Sequence, residues 1–336
     1  MTADDRPSIA LVQGDACGIG PELTAKLLAL DEVRESAKIL VLSDRRVFEA
    51  GCEIPGVNLE ATFVDSLDDA DLDKHPLTVF DVPGVDPADI TPGEVSVDAG
   101  RAVIDCLGRA LDACKAGQLQ GLCFTPFNKQ AMHLAGLDAE DETQWARARI
   151  GFEGRVSEFN VIDGMWNARV TSHVPLKDVS SLLSIEEIVA SVLLADRTLR
   201  TAGFERPRIA VAALNPHAGD GGTIGREEIE IIAPAVAAAR GHQVICEGPF
   251  PSDTLYLKVR DGEYDCAVSM YHDQGQIAIK LLGFHMGISV QGGLPFPMAT
   301  PAHGTAFDIV GKNLANVEPT RRAMRTVVTM ANGIEA

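Results

Sequence analysis

Basic residues, aromatic residues and long apolar runs are all scarce in this sequence of 336 residues. Only 29 lysines and arginines stand against 48 aspartates and glutamates, so the formal net charge is −19. A surface of that sign repels nucleic-acid phosphates and anionic lipid headgroups, which excludes both as expected partners. No stretch approaches the roughly 18 uninterrupted apolar residues of a membrane span, and no basic segment precedes the first apolar run. We therefore expect a cytoplasmic protein.

Paired cysteine motifs are missing as well. The seven cysteines are scattered, mostly inside apolar runs, and no CxxC pair occurs. We interpret them as buried, reduced thiols and not as a disulfide framework or a zinc site. What the chain does have is 46% hydrophobic and 23% charged residues, close to the globular average. Its length is sufficient for about two domains.

Strand and helix patterns alternate along the chain. Because strands that alternate with helices form parallel sheets with helical crossovers, the pattern predicts an α/β fold with mostly parallel sheets. An acidic stretch rich in Pro and Gly, residues 65–98, predicts a long loop. The predicted strands are residues 8–12, 38–42, 119–125, 155–162, 166–171, 208–213, 244–246 and 264–270; the predicted helices are residues 22–30, 45–51, 99–116, 185–202 and 227–240.

Three histidines closely follow strand candidates, in the segments TSHVP, NPHAGDGG and MYHDQG. They are His173, His217 and His272. Functional groups of open parallel sheets collect just past the carboxyl ends of strands. Three imidazoles gathered there suit a divalent metal such as Zn²⁺ with positions left for substrate. Sequence spacing alone does not show that they meet, so ordinary hydrogen-bonded histidines stay an open alternative.

Two carboxylates and one lysine lie near these histidines in the sequence. Asp253 and Asp273 are candidates to orient a metal-bound imidazole or a water molecule, or, more simply, to cap a helix or turn. Lys280 is a lone cation in an apolar run, which is costly unless its amine reaches water or an anion. We expect Lys280 to bind substrate or transfer a proton.

A glycine-rich turn follows the first predicted strand, GDACGIGPE at residues 14–22. It matches neither the dinucleotide GxGxxG pattern nor the GxxxxGK[ST] phosphate loop. We predict a structural turn with Pro21 near a helix start and Glu22 in the first helical turn.

Taken together and in this order, these segments resemble the 4-hydroxythreonine-4-phosphate dehydrogenase family, which belongs to the structural group of isopropylmalate and isocitrate dehydrogenases. The resemblance covers nearly the whole chain, because further matches occur in TPFNK at 125–129, GLPF at 293–296 and HGTAFD at 303–308. It implies two α/β domains on either side of a cleft. By analogy, residues 1–131 and 290–336 form an NAD-binding domain, and residues 132–289 form a metal-binding and dimerisation domain.

The resemblance also implies a metal site, a cofactor and a homodimer. The family's metal ligands carry over onto His173, His217 and His272, with one ligand donated by the partner chain of a shared active site. Zn²⁺ is the first expectation, and Mg²⁺, Mn²⁺ or Co²⁺ are alternatives. Catalytic roles carry over onto Lys280, Asp253 and Asp273. Positions expected to bind NAD are Gly293, Leu294, His303, Gly304, Thr305, Asp308 and Asn316.

The chemistry that the resemblance implies is oxidation of the secondary alcohol of a β-hydroxy acid by NAD, followed by decarboxylation. Asp308 matches the acidic residue near the adenosine ribose, where it favours NAD over NADP. The metal would polarise the alcohol oxygen and later the ketone.

The substrate positions depart from the family pattern. Glu142 and Thr143 stand where the family typically has a His-Thr pair, and Ser289 and Met298 replace an asparagine and an arginine. Without that arginine a bidentate phosphate partner is lost. With Lys280, these four residues are the expected substrate-binding set, and we expect a substrate that lacks the family's phosphate.

Several alternatives stay open. A terephthalate-type cis-dihydrodiol carboxylate is one, with Trp145 beside the ring and Arg147 or Arg149 on the carboxylate. A true 4-hydroxythreonine 4-phosphate or a four-carbon acid sugar phosphate is another. A non-catalytic ligand-binding paralogue or a structural protein of the same fold would differ in class.

Overall fold

The computed structural model describes residues 5–139, 141–162 and 164–333. Two compact units emerge: Met1–Gly154 with Leu294–Ala336, and Arg155–Gly293. The chain therefore leaves the first unit once and later returns to it.

Twelve strands occur among the described residues. They are β1 Ser8–Val12, β2 Lys38–Ser43, β3 Thr62–Val64, β4 Leu77–Asp81, β5 Gly121–Phe124, β6 Ser157–Ile162, β7 Met165–Arg169, β8 Arg208–Ala212, β9 Ile245–Phe250, β10 Cys266–Ser269, β11 Ile288–Gly292 and β12 Met298–Pro301.

Twelve α-helices accompany them in the described part of the chain. They are α1 Gly20–Leu28, α2 Asp31–Ser36, α3 Arg45–Glu53, α4 Val97–Lys115, α5 Lys129–Leu134, α6 Glu142–Ile150, α7 Val179–Leu182, α8 Ile185–Thr201, α9 Ala233–Arg240, α10 Ser252–Arg260, α11 His272–Gly283 and α12 Glu318–Gly333.

The first unit is built on parallel strands in the order β3-β4-β2-β1-β5-β12. Residues 9–12 of β1 and all of β2 are buried, as expected for central strands of a parallel sheet that is covered on both faces. Helix α4 places its apolar side against these strands, and Leu107 and Leu111 are fully buried there. Helices α5 and α6 add Met132, Ala146 and Ile150 to the same core.

That packing explains where the first unit ends. The resemblance placed its boundary after residue 131, whereas the compact unit extends to Gly154. Because α5 and α6 bury apolar residues against α4, they belong to the first core. The second boundary lies at Gly293, close to the residue 289 taken from the resemblance.

The second unit has the strand order β11-β6-β7-β10-β8-β9. Strands β7, β10, β8 and β9 are parallel, and β6 runs antiparallel to both β7 and β11. Helices α8, α10 and α11 pack against these strands. The carboxyl ends of β7 and β10 meet at one edge because the two strands are parallel neighbours.

The α/β class and its mostly parallel strands are confirmed. The predicted loop over residues 65–98 was wrong in part, because it contains the buried strand β4 and the start of α4. All seven cysteines are unpaired, and all but the half-buried Cys52 are buried, as predicted. None of the described helices is both long enough and apolar enough to cross a bilayer.

Candidate active site

Two of the three predicted metal ligands lie together at the carboxyl edge of the second unit. The chain segments that follow β7 and β10 continue side by side, because Val170 N donates to Ser269 O (2.9 Å) and Thr171 N donates to Met270 O (3.1 Å). This pairing brings the rings of His173 and His272 to a centroid distance of 5.5 Å with planes tilted by 45°. The sequence expectation that strand ends would gather these groups holds for this pair.

His272 is oriented by its neighbour. Its Nδ1 lies 2.7 Å from Oδ1 of Asp273, so a neutral His272 that donates its Nδ1–H to the carboxylate presents the Nε2 lone pair to a ligand. Imidazoles that bind metals commonly make such a second hydrogen bond to a carboxylate. The geometry matches the orienting role predicted for Asp273.

His217 lies on the left-handed turn that follows β8, the parallel neighbour of β10. Among the described residues no three His, Cys, Asp or Glu side chains come close enough to hold one metal ion. One chain therefore supplies a pair of imidazoles, and the third predicted ligand is not part of that cluster.

The paired imidazoles have the donor chemistry for a divalent metal. Imidazole nitrogen suits Zn²⁺ and other borderline ions, which bind it at about 2.0–2.1 Å. His272 has its Nδ1 engaged by Asp273, and its ring centroid lies 5.5 Å from that of His173, a separation that two ligands of one ion can have. The residues present therefore suit the group that the resemblance implies.

Lys280 and Asp253 occupy exposed helical positions. Lys280 lies on α11, the helix that begins with His272. Its side chain is exposed, so the lysine does not pay the desolvation cost that its apolar sequence neighbours suggested. Asp253 lies in the first turn of α10. The residue before it, Ser252, accepts a hydrogen bond (2.7 Å) from Gln274 in α11, so the starts of the two helices are adjacent. The catalytic roles of Lys280 and Asp253 stay predictions.

A buried polar network lies under α11, and sequence reasoning missed it. Arg169 donates to Asn160 Oδ1 (3.1 Å) and approaches Glu158 Oε1 to 3.4 Å. Gln276 from α11 donates to the same Asn160 oxygen (2.7 Å), and the Ser289 hydroxyl donates to Glu158 (3.3 Å). Ser289, a predicted substrate ligand, is thus buried within this network. An arginine at the end of an apolar strand was the available signal.

The remaining predicted substrate residues belong to the first unit. Glu142 pairs with Lys129 at 3.4 Å, and Thr143 is buried in α6. Met298 is fully buried, with 0% exposure, in the apolar core beside β5. Because the Met298 side chain is buried, it is not available to contact a ligand. Its consequence for substrate binding would be that the family's arginine is missing at this position.

The segment expected to bind NAD packs on the glycine turn of the first unit. Ile19 N donates to Thr305 O (3.1 Å), and a Cβ on Gly18 would lie only 2.8 Å from the Thr305 side chain. Glu22, in the first turn of α1, accepts from Ala315 N (2.8 Å) and from Lys26 (2.7 Å). The prediction of a structural turn is confirmed: α1 begins at Gly20 and carries Pro21 in its first turn.

Parts of that segment are exposed. Asp308 is exposed, and a Cβ on Gly304 would meet no atom within 4 Å, so the backbone there faces open space. Burial lowers the pKa of His303, whose Nδ1 lies 3.1 Å from Gly304 O. Asn316 has a structural task, since its Oδ1 accepts from Glu318 N at the start of α12.

Gly293 and Leu294 fall at the junction of the two units. Gly293 has φ +96°, and a Cβ there would lie 2.2 Å from Arg155 O, so only glycine fits. Leu294 packs against the core of the first unit. Both positions show backbone and packing requirements, and their contact with NAD stays a prediction.

The groups considered for an aromatic carboxylate are already engaged. Arg149 pairs with Asp112 at 2.7 Å and lies over the ring of Trp145. Arg147 donates to Phe152 O (3.2 Å). None of these contacts favours the dihydrodiol alternative.

Comparison with known proteins identifies the family to which this chain is similar. Residues 35–327 match the family model described as pyridoxal phosphate biosynthetic protein PdxA. A Rhizobium meliloti relative, provisionally named 4-hydroxythreonine-4-phosphate dehydrogenase 2, is 48% identical over 98% of this chain and 95% of its own.

Solved structures give the same result. The 4-hydroxythreonine-4-phosphate dehydrogenase of Klebsiella pneumoniae is 35% identical, with a TM-score of 0.81 over 97% of this chain and 99% of that one. A terephthalate 1,2-cis-dihydrodiol dehydrogenase from Burkholderia xenovorans is 27% identical, with a TM-score of 0.69 over 96% and 98%.

The chain is thus an α/β protein of the dehydrogenase type, an oxidoreductase that acts on CH–OH groups. It belongs to the PdxA family, and the family resemblance drawn from the sequence motifs is confirmed.

Proposed function

We propose that this protein is a metal- and NAD-dependent dehydrogenase that oxidises the secondary alcohol of a β-hydroxy acid, with decarboxylation of the product. The observation that carries the proposal is the His173–His272 pair with Asp273 on His272 Nδ1, on a helix that also carries Lys280. Oxidation removes a hydride and a proton from the alcohol. NAD is the proposed hydride acceptor.

Each residue has a defined task in this proposal. A divalent ion held by the two imidazoles supplies Lewis acidity toward the substrate hydroxyl. Asp273 keeps His272 in the tautomer that binds through Nε2. Lys280 is exposed on α11, where its amine is available to hold the substrate carboxylate or to move a proton. Asp308 and the open backbone at Gly304 are the proposed contacts to the adenosine part of NAD.

Zn²⁺ is the proposed metal because the donors are imidazole nitrogens, and Mg²⁺, Mn²⁺ and Co²⁺ are tested beside it. Seven unpaired thiols suit a reducing compartment, so the cytoplasm is the proposed location. The first unit is the proposed NAD-binding domain, and the second is the proposed metal-binding and dimerisation domain.

We further propose a homodimer whose active site is shared. His217 lies outside the His173–His272 cluster, so one chain provides two of the three ligands. A second copy completes the set by donating its own His217.

The proposed substrate is a hydroxy acid without the terminal phosphate. Met298 replaces the arginine that the family uses at this position, and its side chain is buried in apolar core. Ser289 is engaged by Glu158. A guanidinium fork for phosphate is therefore missing at the substrate position where the family has one.

A spectrophotometric screen for NADH tests the function. The enzyme is loaded with each metal and offered 4-hydroxythreonine 4-phosphate, the 4-phosphates of threonate and erythronate, the unphosphorylated acids, and a cis-dihydrodiol carboxylate. We expect NADH with an unphosphorylated acid, and CO₂ in equal amount. Efficient turnover of a phosphorylated acid alone would refute the substrate proposal. Metal binding without turnover of any compound would favour a ligand-binding paralogue.

A further inference from the structure

The turn that carries His217 has an unusual backbone. Six successive residues, 217–222, have positive φ angles, and three of them carry a Cβ: His217 at 54°, Ala218 at 54° and Asp220 at 44°. Left-handed conformations are costly for such residues because Cβ crowds the following carbonyl. Strain of this kind persists only where the surroundings hold it, and it concentrates at functional sites.

A buried carboxylate holds this turn. Glu228 is 3% exposed, and its Oε1 accepts from Leu214 N (2.9 Å) and Asn215 N (2.7 Å). Its Oε2 accepts from Asn215 Nδ2 (2.9 Å), which also donates to Glu227 Oε2 (2.8 Å). Glu228 thereby fixes Leu214 through its backbone and Asn215 through both its backbone and its side chain.

The turn also packs closely against Glu228 and its partner Asn215. A Cβ on Gly219 would lie 2.7 Å from Glu228 Oε2, and a Cβ on Gly225 would lie 2.4 Å from Asn215 Nδ2. Both glycines have positive φ, so the backbone can approach at these two points only without side chains.

The position of Glu228 is itself specialised. It begins a π-helical turn, Glu228–Ile232, that leads into α9, and such turns recur at functional sites. Burying a carboxylate is costly unless it is hydrogen-bonded, and the donors given above are all uncharged amides. The buried Glu228 side chain therefore holds a strained turn on which His217 is exposed.

We propose that Glu228 is the positioning residue that aims His217 as a metal ligand for the partner subunit. The inference rests on the proposed shared metal site. Glu228 does not touch the metal; its carboxylate fixes residues 214 and 215, which set the direction in which residue 217 leaves the sheet. In the homodimer, Glu228→Gln should weaken metal binding about 10- to 100-fold, the loss typical of altered outer-shell partners.

The test uses heterodimers prepared by co-expression with two different tags and loaded with Co²⁺, whose visible absorption reports the bound ion. His173→Ala paired with His217→Ala should regain one site of wild-type affinity per dimer, because one chain keeps the imidazole pair and the other donates its His217. No regained site would refute the shared metal site itself, whatever Glu228 does.

The same two partner chains then show which part of the site Glu228 supports: the imidazole pair of its own chain, or the His217 that its chain donates. Paired with His173→Ala, the Glu228→Gln chain keeps its own imidazole pair and receives an intact His217, so one wild-type site is expected. Paired with His217→Ala, it offers only a misdirected His217, so no wild-type site is expected. A merely structural defect would not distinguish the two pairings. Equal Co²⁺ affinity in both would overturn the positioning role, even if the shared site stands.

Glu230→Gln is the matched control. Glu230 lies on the same π-helical turn but is exposed and pairs with Arg226 at 2.5 Å, so this variant should give a wild-type site in both pairings. If Glu228→Gln does not fold, Asn215→Ala replaces it, because that change removes only the side-chain contacts to Glu227 and Glu228. The same assignment is then expected.

Discussion

At the scale of single residues, Asp15 is a buried carboxylate without a counter-charge in the contacts it makes. It follows Gly14 at the end of β1 and is 1% exposed. Its Oδ1 accepts from Cys17 N (2.9 Å), while Oδ2 has no hydrogen-bond partner among the described residues. Burial raises the pKa of Asp15 to about 6, so the fold itself favours the protonated acid.

Asp15→Asn should change how stability depends on pH. The pKa of Asp15 is higher in the folded state than the value of 3.8 for the free side chain. The wild type therefore loses stability as pH rises from about 4 to above 6, by about 3 kcal/mol in total. The variant carries no charge there and should lack this decline.

Urea unfolding at pH 4.5 and pH 7.5 measures the difference. We expect the free energy of unfolding of Asp15→Asn to gain on that of the wild type as pH rises. Asp68→Asn, at an exposed position, is the control and should show no such gain. A difference between Asp15→Asn and wild type that is the same at both pH values would contradict the prediction.

Single residues also show how far sequence reasoning reaches. His173 and His272 were predictable because each follows an apolar strand closely, and parallel neighbours end at one edge. Asp273 was predictable from its adjacency to His272. The clamp of Glu228 on residues 214 and 215 was not, because it depends on a π-helical turn that no residue pattern marks.

At the scale of elements, α11 rests on polar groups where an apolar contact is usual. Gln276 reaches Asn160, and Gly275 sits against the Asn167 side chain, where a Cβ would lie 2.3 Å from Nδ2. Beneath them Arg169 is 5% exposed, and its Nε has no partner among the described residues. A buried network of this kind favours one position and orientation of α11, the helix that carries His272.

Arg169→Met should therefore destabilise the fold. The change leaves Glu158 and Asn160 without their cation, and breaking a buried pair from one side costs about 3 kcal/mol. The double variant Arg169→Met/Glu158→Leu should recover at least about 1 kcal/mol, because no unpaired carboxylate is left.

Arg155→Met supplies the comparison, since its partner Glu187 is half exposed and such pairs contribute about 0–1 kcal/mol. The single variant Glu158→Leu completes the cycle, and the free energies of unfolding of these four variants and of the wild type are measured. Strictly additive losses at Arg169 and Glu158 would show that the two side chains are not coupled.

The elements that sequence reasoning missed share a physical reason. Strand β4, LTVFD, is five residues long and lies within an acidic stretch, so local composition hid a buried strand. Helix α11 begins at a turn-like HDQG segment, and its Gly275 is needed for packing against Asn167 although glycine disfavours helices. In both cases tertiary contacts override the local signal.

At the scale of the whole molecule, α11 exposes several apolar side chains to solvent in the single chain. Ile277 is 59% exposed, Leu281 82% and Leu282 42%. Residues 277 and 281 lie four apart and so share a helical face. This face belongs to the helix that begins with His272, and among the described residues no third side chain joins the His173–His272 pair as a possible metal ligand. The proposed homodimer would account for both features if the second copy packs on this face.

Leu281→Glu should therefore convert the proposed dimer into monomers and weaken the metal site together. Each carboxylate in an apolar interface costs about 2 kcal/mol or more, and the homodimer carries two of them, so the dimer dissociation constant should rise about 1,000-fold or more. Sedimentation equilibrium measures the association, and Co²⁺ titration at the same concentrations measures the loss of the partner's His217. Val95→Glu, at an exposed apolar position of the first unit, should stay dimeric with unchanged Co²⁺ affinity. A Leu281→Glu protein that dissociates yet binds Co²⁺ as tightly as the wild type would show that the metal site needs no second chain.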